Sequence, residues 1–339
     1  MPAPTFSVIV PICHRGSLLR ESLAALKRMD HPAGGIEVLV GGPEEDGDSR
    51  ALVEAQAAEA PFPIRYVSAP SSRRSVCLNA AVAAADGEML AFVDDDGFAE
   101  RDWLTALAGP MREEAAVGIV GGVDVLAGAT GTFDLAFDAI LNSTLATGGC
   151  RRPANAQIGD YYPRLWNMAM PAALARIVVA AREDEGARPG LFDESLHLHE
   201  DVELGNRVRR MGKRLVFLPA ARVNHQRETK LGVTLRRDFD MARASRSLGV
   251  HRRPHRLLVA ALLTSLALVG LGFLQPVCWL ILAAAMGAHF LLGLLVGIQG
   301  LLRTRRLGVL LLVPLLLAAL HLARATGYLV GRGRSLDQP

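Results

Sequence analysis

"LAFVDDDGFAERDW", residues 90–103, decides the fold, because an apolar segment ends there abruptly in three consecutive aspartates. Asp94, Asp95 and Asp96 repel one another, and burying any of them without a partner is costly. Either a positive group lies beside them or the loop is simply solvated. The pattern on both sides of the segment favours the first explanation.

Short apolar strands alternate with amphipathic helices on the N-terminal side of the aspartates. We predict strands at 6–12, 36–42, 63–69 and 88–93. Helices are predicted between them, at 17–29, 49–60 and 76–86. This alternation is typical of a doubly wound α/β sheet, which binds ligands beyond the carboxyl ends of its strands. The aspartates are therefore expected at the mouth of a ligand-binding crevice.

The last third of the chain is apolar enough to enter a membrane. Residues 257–302 and 307–323 contain no Asp, Glu, Lys or Arg. A spanning helix needs about 20 apolar residues. The first segment suits two helices broken near Gln275 and Pro276, and the second suits a third helix. We predict a transmembrane region over 257–331, with spans at 257–274, 277–302 and 307–330; a pair of buried core helices is the alternative.

Charge divides the chain in the same way. Of the 37 Lys and Arg residues, 11 arginines follow residue 240, where the only acid is Asp337. We therefore predict an acidic front domain over 1–240 and a basic juxtamembrane linker over 241–256. Arginines before the first span and in "RTRR" (303–306) favour the cytoplasmic side. This indicates a multi-pass protein of the plasma or inner membrane with a cytoplasmic front domain.

Three spans would leave the arginine-bearing C-terminus outside, which conflicts mildly with the rule that positive charge stays inside. A last segment lying along the membrane interface would remove that conflict. The four cysteines show no paired spacing, so neither a disulfide framework nor a zinc site is expected. We expect no signal peptide at the N-terminus, and no nucleic-acid partner.

Four blocks of sequence resemble family-2 glycosyltransferases of the GT-A fold. They are "SVIVPICHRGSLLRESLAAL", "EMLAFVDDDGFAERDWL", "WNMAM" and "LFDESLHLHEDVELGNRVRRMGKRLVFLPAARVNH", and they occur in the order that the family shows. An Asp-x-Asp motif alone is weak evidence, but a strand-ending triplet followed by this acidic helix start is specific. The apolar tail makes the chain similar to the membrane-attached members that build surface glycans.

The resemblance implies a mixed sheet flanked by helices, and transfer of a sugar from a nucleotide-sugar donor to a hydroxyl acceptor with inversion. The diphosphate that leaves needs a hard divalent cation, Mg²⁺ or Mn²⁺. By this resemblance Asp96 is a metal ligand, and Asp94 contacts either the donor ribose or the metal. Asp95 is a supporting residue of the donor site. The cation is then the positive partner that the triplet lacks.

A second acidic cluster, His199-Glu200-Asp201, begins a predicted helix. Acids in a first helical turn stabilise the helix dipole, so the cluster alone is more often structural than catalytic. The resemblance implies that Asp201 is the general base that takes the proton of the acceptor hydroxyl. Glu200 is then an orienting neighbour or the alternative base.

Four further residues are candidates for the site. His225 falls where some relatives place a residue near the metal or diphosphate. Arg74 precedes a predicted helix and suits a phosphate. Asn167 is expected near the sugar, and Pro11 near the donor. For each of them the alternative is an ordinary structural role.

The chain departs from the family pattern at three places. Relatives often carry an aspartate for the nucleobase where this chain has Gly42, within "VGGPEED" (40–46). Base recognition must then come from other groups, such as Glu44 or the backbone. Leu78 replaces an arginine that often precedes Asn79. The Gln-x-x-Arg-Trp motif of processive synthases does not occur, which favours addition of a single sugar.

We expect the acceptor to be a polyprenyl-linked saccharide or another lipid-anchored glycan, because the membrane tail would hold the site beside it. A non-catalytic membrane scaffold that kept the fold is an alternative, which the altered "VGGPEED" segment favours. A nucleotidyltransferase is a second alternative. That class needs a glycine-rich phosphate loop near the first strand, and "VIVPICHRGSLL" contains a single glycine.

Overall fold

The structure is a computed structural model that describes residues 5–12, 16–30, 32, 34–128, 131–147, 161–184, 186, 188–226 and 230–332. It divides into two compact units. The sheet unit comprises residues 1–127 and 160–227, and the helical unit comprises 128–159 and 228–339. Cys77 and Cys278 are free thiols. Cys13 and Cys150 lie outside the described residues, so the prediction of no disulfide framework stays a prediction.

The strands are β1 (Phe6–Pro11), β2 (Ile36–Pro43), β3 (Ile64–Ala69), β4 (Met89–Phe92), β5 (Gly97–Ala99), β6 (Val117–Leu126), β7 (Met168–Pro171) and β8 (Arg214–His225). The helices are α1 (Gly16–Arg28), α2 (Gly47–Ala57), α3 (Arg74–Ala83), α4 (Trp103–Glu113), α5 (Thr132–Leu141), α6 (Thr144–Thr147), α7 (Ala172–Asp184), α8 (Glu200–Arg210), α9 (Leu231–Leu248), α10 (Arg252–Gly272), α11 (Val277–Thr304) and α12 (Leu307–Val330).

The eight strands form one mixed sheet in the order β3-β2-β1-β4-β7-β6-β8-β5. The first four strands of the chain pair in parallel, as the alternation of strands and helices predicts. Strand β7 is antiparallel to both β4 and β6, and β5 is antiparallel to β8. The sheet is therefore doubly wound in its first half and mixed in its second.

Alternate residues of β1 enter two different cores. Val8 and Val10 pack with Leu23 of α1 and Trp103 of α4 on one face of the sheet. Ile9 packs on the other face with residues of α3, α7 and α8. All of these β1 side chains are fully buried. A strand covered on both faces has no polar side to show, which explains the continuous apolar sequence of 6–12.

Strand β5 was predicted as loop, because its three residues are too few to show a period. It forms by pairing with the end of β8, where Gly97 lies opposite His225. Strand β8 reaches this place through an irregularity next to Gly122, which lies opposite Leu218 while Val123 lies opposite Arg222. The backbone carbonyl of Ala221 occupies the space that a side chain at Gly122 would need. Glycine at 122 therefore permits the course of β8.

The helical unit contains the apolar helices α10, α11 and α12, each long and apolar enough to cross a membrane. The three helices overlap the predicted spans, which stay a prediction. The amphipathic helices α5 and α9 belong to the same unit, and α5 shares an apolar core with α11 and α12. The structure therefore groups α5 and α9 with the tail, whereas the sequence places every residue up to 240 in a single front domain.

We expect Gly122→Ala to lower the stability of the chain, because the added methyl group meets the backbone of Ala221, which cannot give way as a flexible side chain would. Overpacking of this kind costs about 1–3 kcal/mol. Thermal unfolding in detergent measures it. The control is Gly109→Ala in α4, where no atom lies within 4 Å of the new methyl group; it should be neutral or slightly stabilising. Equal midpoints for the two variants would contradict the argument.

Candidate active site

The three aspartates lie in a tight turn between β4 and β5. Asp95 is buried, with 2% of its surface exposed. The side chains of Asp94 and Asp96 are more accessible, at 15% and 14%. The turn thus contains one buried aspartate between two that are partly accessible.

His225, the last residue of β8, is brought to the aspartates by the β5–β8 pairing. Its Nε2 atom lies 2.7 Å from Oδ1 of Asp96. Gln226 also donates its backbone N–H to the carbonyl of Asp96, at 3.2 Å. The ring is buried and stacks on Trp166, with 5.7 Å between ring centroids and an interplanar angle of 17°. The histidine is therefore held in one place by strand pairing and by stacking.

Asp94, Asp96 and His225 can offer ligand atoms that all lie within 4.8 Å of one another. Both ring nitrogens of His225 are buried without a hydrogen-bond partner, although Nε2 is close to Asp96. A buried imidazole with neither nitrogen hydrogen-bonded is costly. A divalent cation between the three groups would use the nitrogen and compensate the two carboxylates. These residues therefore fit a metal ion.

Arg74, at the start of α3, is the positive group that lies beside the triplet in this structure. Its Nη2 atom lies 2.5 Å from Oδ1 of Asp94 in a largely buried ion pair. The preceding residue, Arg73, donates to the carbonyl of Glu194 at 2.8 Å. Helix α3 therefore holds both the aspartate turn and the loop that leads to the second acidic cluster.

The second cluster opens helix α8. His199, Glu200 and Asp201 are all buried, with 3–4% of their surface exposed. His199 adopts a left-handed backbone conformation with φ of 66°, which is uncommon for a residue other than glycine. The backbone N–H of Val202 donates to Oδ1 of Asp201 at 2.9 Å. Strained backbone of this kind persists where the surrounding structure fixes it, often at functional sites.

The two acids of α8 have different environments. Burial raises the pKa of Glu200, and the positive charge of Arg74 opposes that effect only in part. Asp201 instead has its own cation, because Nε of Arg164 lies 3.0 Å from its Oδ2 atom. Burial thus dominates the environment of Glu200, whereas Asp201 lies in an ion pair with Arg164.

Arg164 and Trp166 connect the two acidic clusters. The guanidinium of Arg164, which pairs with Asp201, lies 4.9 Å above the ring of Trp166. The same indole ring stacks on His225, one of the three candidate metal ligands. Sequence analysis did not identify Arg164, because it lies two residues before the "WNMAM" block and belongs to no motif. The neighbouring "WNMAM" block was the only indication that this segment matters.

Asn167 does not face an open site. Its Oδ1 atom accepts from the indole N–H of Trp103 at 2.9 Å, and its amide donates to the carbonyls of Val123 and Ala221 at 2.9 and 3.0 Å. With 1% of its surface exposed, the side chain uses its hydrogen bonds to connect α4, β6 and β8. Its predicted contact with a donor therefore has no support from the structure. Pro11 ends β1, buried, with Gly41 as its partner in β2.

The structure explains why a side chain is missing at Gly42. The hydroxyl of Tyr66 occupies the space that a Cβ atom would need, and it donates to the carbonyl of Pro43 at 2.6 Å. Arg50 lies 5.1 Å above the ring of this tyrosine. A carboxylate at position 42, as relatives often have, would not fit without moving Tyr66. Glu44 is exposed at the end of the same strand region.

A protein-family model described as "Glycosyltransferase like family 2" matches residues 2–243. The chain belongs to this family. The family resemblance that the sequence blocks carry is thereby confirmed. The matched region extends from β1 to α9, so it includes both acidic clusters and His225.

Two curated relatives are similar to parts of this family member. The succinoglycan biosynthesis protein ExoM of Rhizobium meliloti (strain 1021) is 35% identical over 125 residues, which cover 36% of this chain and 40% of the relative. A pre-mycofactocin glycosyltransferase of Mycobacterium tuberculosis is 26% identical over 226 residues, which cover 66% of this chain and 43% of the relative. The chain thus matches about two fifths of the length of each relative.

Among solved structures, the chain is similar to the mannosyltransferase PcManGT from Pyrobaculum calidifontis, in complex with GDP-Man and Mn²⁺. The TM-score is 0.55 at 18% sequence identity, and the match covers 96% of this chain and 87% of that one. At this identity the likeness shows the fold. The predicted GT-A fold, a mixed sheet flanked by helices, is therefore confirmed.

We expect the stability of the chain to fall as pH rises above the ordinary carboxyl range, through the raised pKa of Glu200. The folded chain binds this proton more tightly than the unfolded chain, so stability is lost as the proton leaves. Glu200→Gln removes this loss. The unfolding midpoint of Glu200→Gln should therefore rise relative to that of wild type as the pH increases. The expected rise is about 2–4 °C for each kcal/mol of stability that wild type loses.

Thermal unfolding between pH 4 and 8 in a chelating buffer measures the effect. Glu59→Gln is the matched control, since Glu59 is largely exposed; it should follow the wild-type pH dependence. A constant difference between Glu200→Gln and wild type across this range would show that the buried carboxyl does not titrate there.

Proposed function

We propose that this chain transfers one sugar from a nucleotide-sugar donor to a hydroxyl group of a lipid-linked or cell-surface glycan, by a metal-dependent inverting displacement. The observation that carries the proposal is that Asp94, Asp96 and His225 can offer ligand atoms within 4.8 Å of one another. Membership of the glycosyltransferase family supports it. So does the position of the cluster beyond the carboxyl end of β4, where α/β sheets bind ligands.

In this proposal Asp94, Asp96 and His225 hold a divalent cation. When bound, the cation neutralises the charge that develops on the leaving diphosphate. Two carboxylates suit Mg²⁺ or Mn²⁺, and the imidazole nitrogen favours Mn²⁺, which is a transition-metal ion. The complex of the mannosyltransferase neighbour with GDP-Man and Mn²⁺ supports the same choice.

Arg74 and the N-terminus of α3 would bind the diphosphate. Arg74 pairs with Asp94 in this structure, so a cation at Asp94 would leave its guanidinium available to phosphate oxygens. The first N–H groups of a helix also suit an anion. Asp95 and Pro11 would shape the donor site without direct charge contact, since both are buried.

Asp201 would take the proton of the acceptor hydroxyl as that oxygen attacks the anomeric carbon. Arg164 and the N–H of Val202 fix the orientation of the carboxylate. Glu200 is the alternative base, and its raised pKa favours it because a base works best near the operating pH. Either carboxylate would act from the acceptor side, opposite the leaving diphosphate, which yields inversion.

Three apolar helices support a membrane-bound acceptor. In a bilayer they would hold the chain at the same surface as a polyprenyl-linked or other lipid-anchored saccharide. The arginines around them favour the cytoplasmic side and anionic lipid head groups. The name of the relative from Rhizobium meliloti, a succinoglycan biosynthesis protein, agrees with assembly of a surface polysaccharide.

We expect Asp201→Asn to lower the rate of sugar transfer by about 100- to 10,000-fold, the usual contribution of a general base. The variant should still bind a nucleotide sugar in the presence of Mn²⁺. Asp96→Asn, by contrast, should lose this metal-dependent binding. Release of nucleoside diphosphate from a panel of donors, with purified protein in lipid, measures turnover, and calorimetric titration measures binding.

Asp48→Asn, an exposed acid of α2, is the matched control and should behave as wild type. Full turnover by Asp201→Asn together with a large loss in Glu200→Gln would transfer the role of base to Glu200. If the wild-type chain binds none of the nucleotide sugars with Mn²⁺, the enzyme proposal fails and the non-catalytic scaffold takes its place.

A further inference from the structure

The end of α12 lies beside the end of α9 and the beginning of α10. Ser247 of α9 donates its hydroxyl to the carbonyl of Arg332 at 2.8 Å. Arg246 donates to the carbonyl of Tyr328 at 3.1 Å. The ring of His255, in the first turn of α10, stacks on Tyr328 with 5.0 Å between centroids. These contacts join the two ends of the apolar region at one place.

Helix α9 runs parallel to the second half of α12. Arg324 pairs with Asp238 at 2.6 Å, and Gly327 packs against the backbone carbonyl of Phe239. The outer side of α9 is charged: the side chains of Arg236 and Arg243 are 86% and 57% exposed. A helix that exposes such charges does not lie in the hydrocarbon core of a bilayer. The adjoining part of α12 therefore lies at the interface, where charged groups reach water.

The number of crossings follows from the contacts at the end of α12 and from the exposed charges of α9. Because the end of α12 touches α9 and the start of α10, both ends of the apolar region lie on the same side of the bilayer. A chain that begins and ends on one side crosses an even number of times. The contacts within the helical unit therefore argue against three consecutive spans and favour two crossings or none.

Helices α10 and α11 have the surfaces of spanning helices. In the most apolar stretch of each helix, only 6% of α10 and 17% of α11 is buried within the protein, against 33% of α12. Helix α10 is exposed on nearly all sides, and so is the first half of α11. An apolar helix exposed all round needs lipid all round. The link between the two helices, residues 273–276, carries no charge.

Helix α12 is different, because protein covers one side along its whole length. Gly308 near its start packs against Thr132 of α5, and its second half packs against α9. Its other side is a single apolar stripe at helical spacing. The exposed leucines of the stripe are Leu307, Leu311, Leu315, Leu322 and Leu329. A helix that protein covers on one side can lie along the membrane with its apolar stripe facing the lipid.

We propose that the apolar region crosses the bilayer twice, through α10 and α11, and that α12 lies in the cytoplasmic interface with α5 and α9. The partner of this surface is the bilayer itself, with anionic head groups facing the arginines around α9 and the "RTRR" segment at 303–306. The C-terminal end of α12 then returns to the side of α9. This removes the conflict between three spans and an arginine-bearing C-terminus outside.

Single cysteines test the proposal in the full chain, expressed in a bacterial host with its four natural cysteines replaced by serine. The positions are Arg236→Cys, Phe273→Cys, Arg303→Cys and Arg332→Cys, all at exposed residues. A membrane-impermeant maleimide is applied to intact and to permeabilised cells. We expect Phe273→Cys to react in intact cells, and the other three to react at least tenfold more after permeabilisation.

Labelling of Arg332→Cys in intact cells would restore three spans and overturn the proposal. Protection of all four positions would mean that no helix crosses, and labelling of Arg303→Cys in place of Phe273→Cys would mean that α11 and α12 cross; either result also overturns it. C-terminal fusions that need no substitution give a second measurement. A fused fluorescent protein should fold and emit, whereas a fused alkaline phosphatase should stay inactive.

Discussion

The candidate site depends on the pairing of β5 with β8. These strands are far apart in sequence, and their register sets Gly97 opposite His225. That register fixes the imidazole of His225 2.7 Å from the carboxylate of Asp96. A shift by one residue would turn the histidine to the other face of the sheet and separate the three candidate ligands. Gly122 and the irregularity beside it are what allow β8 to reach this register.

Each acidic cluster has an arginine that compensates part of its charge. Arg74 pairs with Asp94, and Arg164 pairs with Asp201. Trp166 lies between the clusters and contacts both Arg164 and His225. Glu200 is the exception, since burial raises its pKa in spite of Arg74. We infer that a cation at Asp94 and Asp96 would change the partners of Arg74, and so couple ion binding to the diphosphate site.

Sequence patterns predicted what depends on local periodicity. The strands and helices up to β4 follow from apolar segments and their spacing, and the structure confirms them. The helices α10 to α12 overlap the charge-free segments where the sequence predicts spans, and those spans stay a prediction. Strand β5 has three residues and no period of its own, so only its partner reveals it. Arg164 was not predicted as a site residue for a similar reason, because its ion-pair partner Asp201 lies 37 positions away in the sequence. The grouping of α5 and α9 with the tail likewise depends on long-range packing.

The central claim is that Asp94, Asp96 and His225 together bind one divalent cation. Electron spin-echo spectroscopy of Mn²⁺ bound to the chain with a nucleoside diphosphate tests it most directly, because it detects a directly coordinated nitrogen. We expect modulation from one imidazole nitrogen in the wild-type chain, and its loss in His225→Gln while Mn²⁺ remains bound through the aspartates. Bound Mn²⁺ in the wild-type chain without any nitrogen modulation would contradict the account.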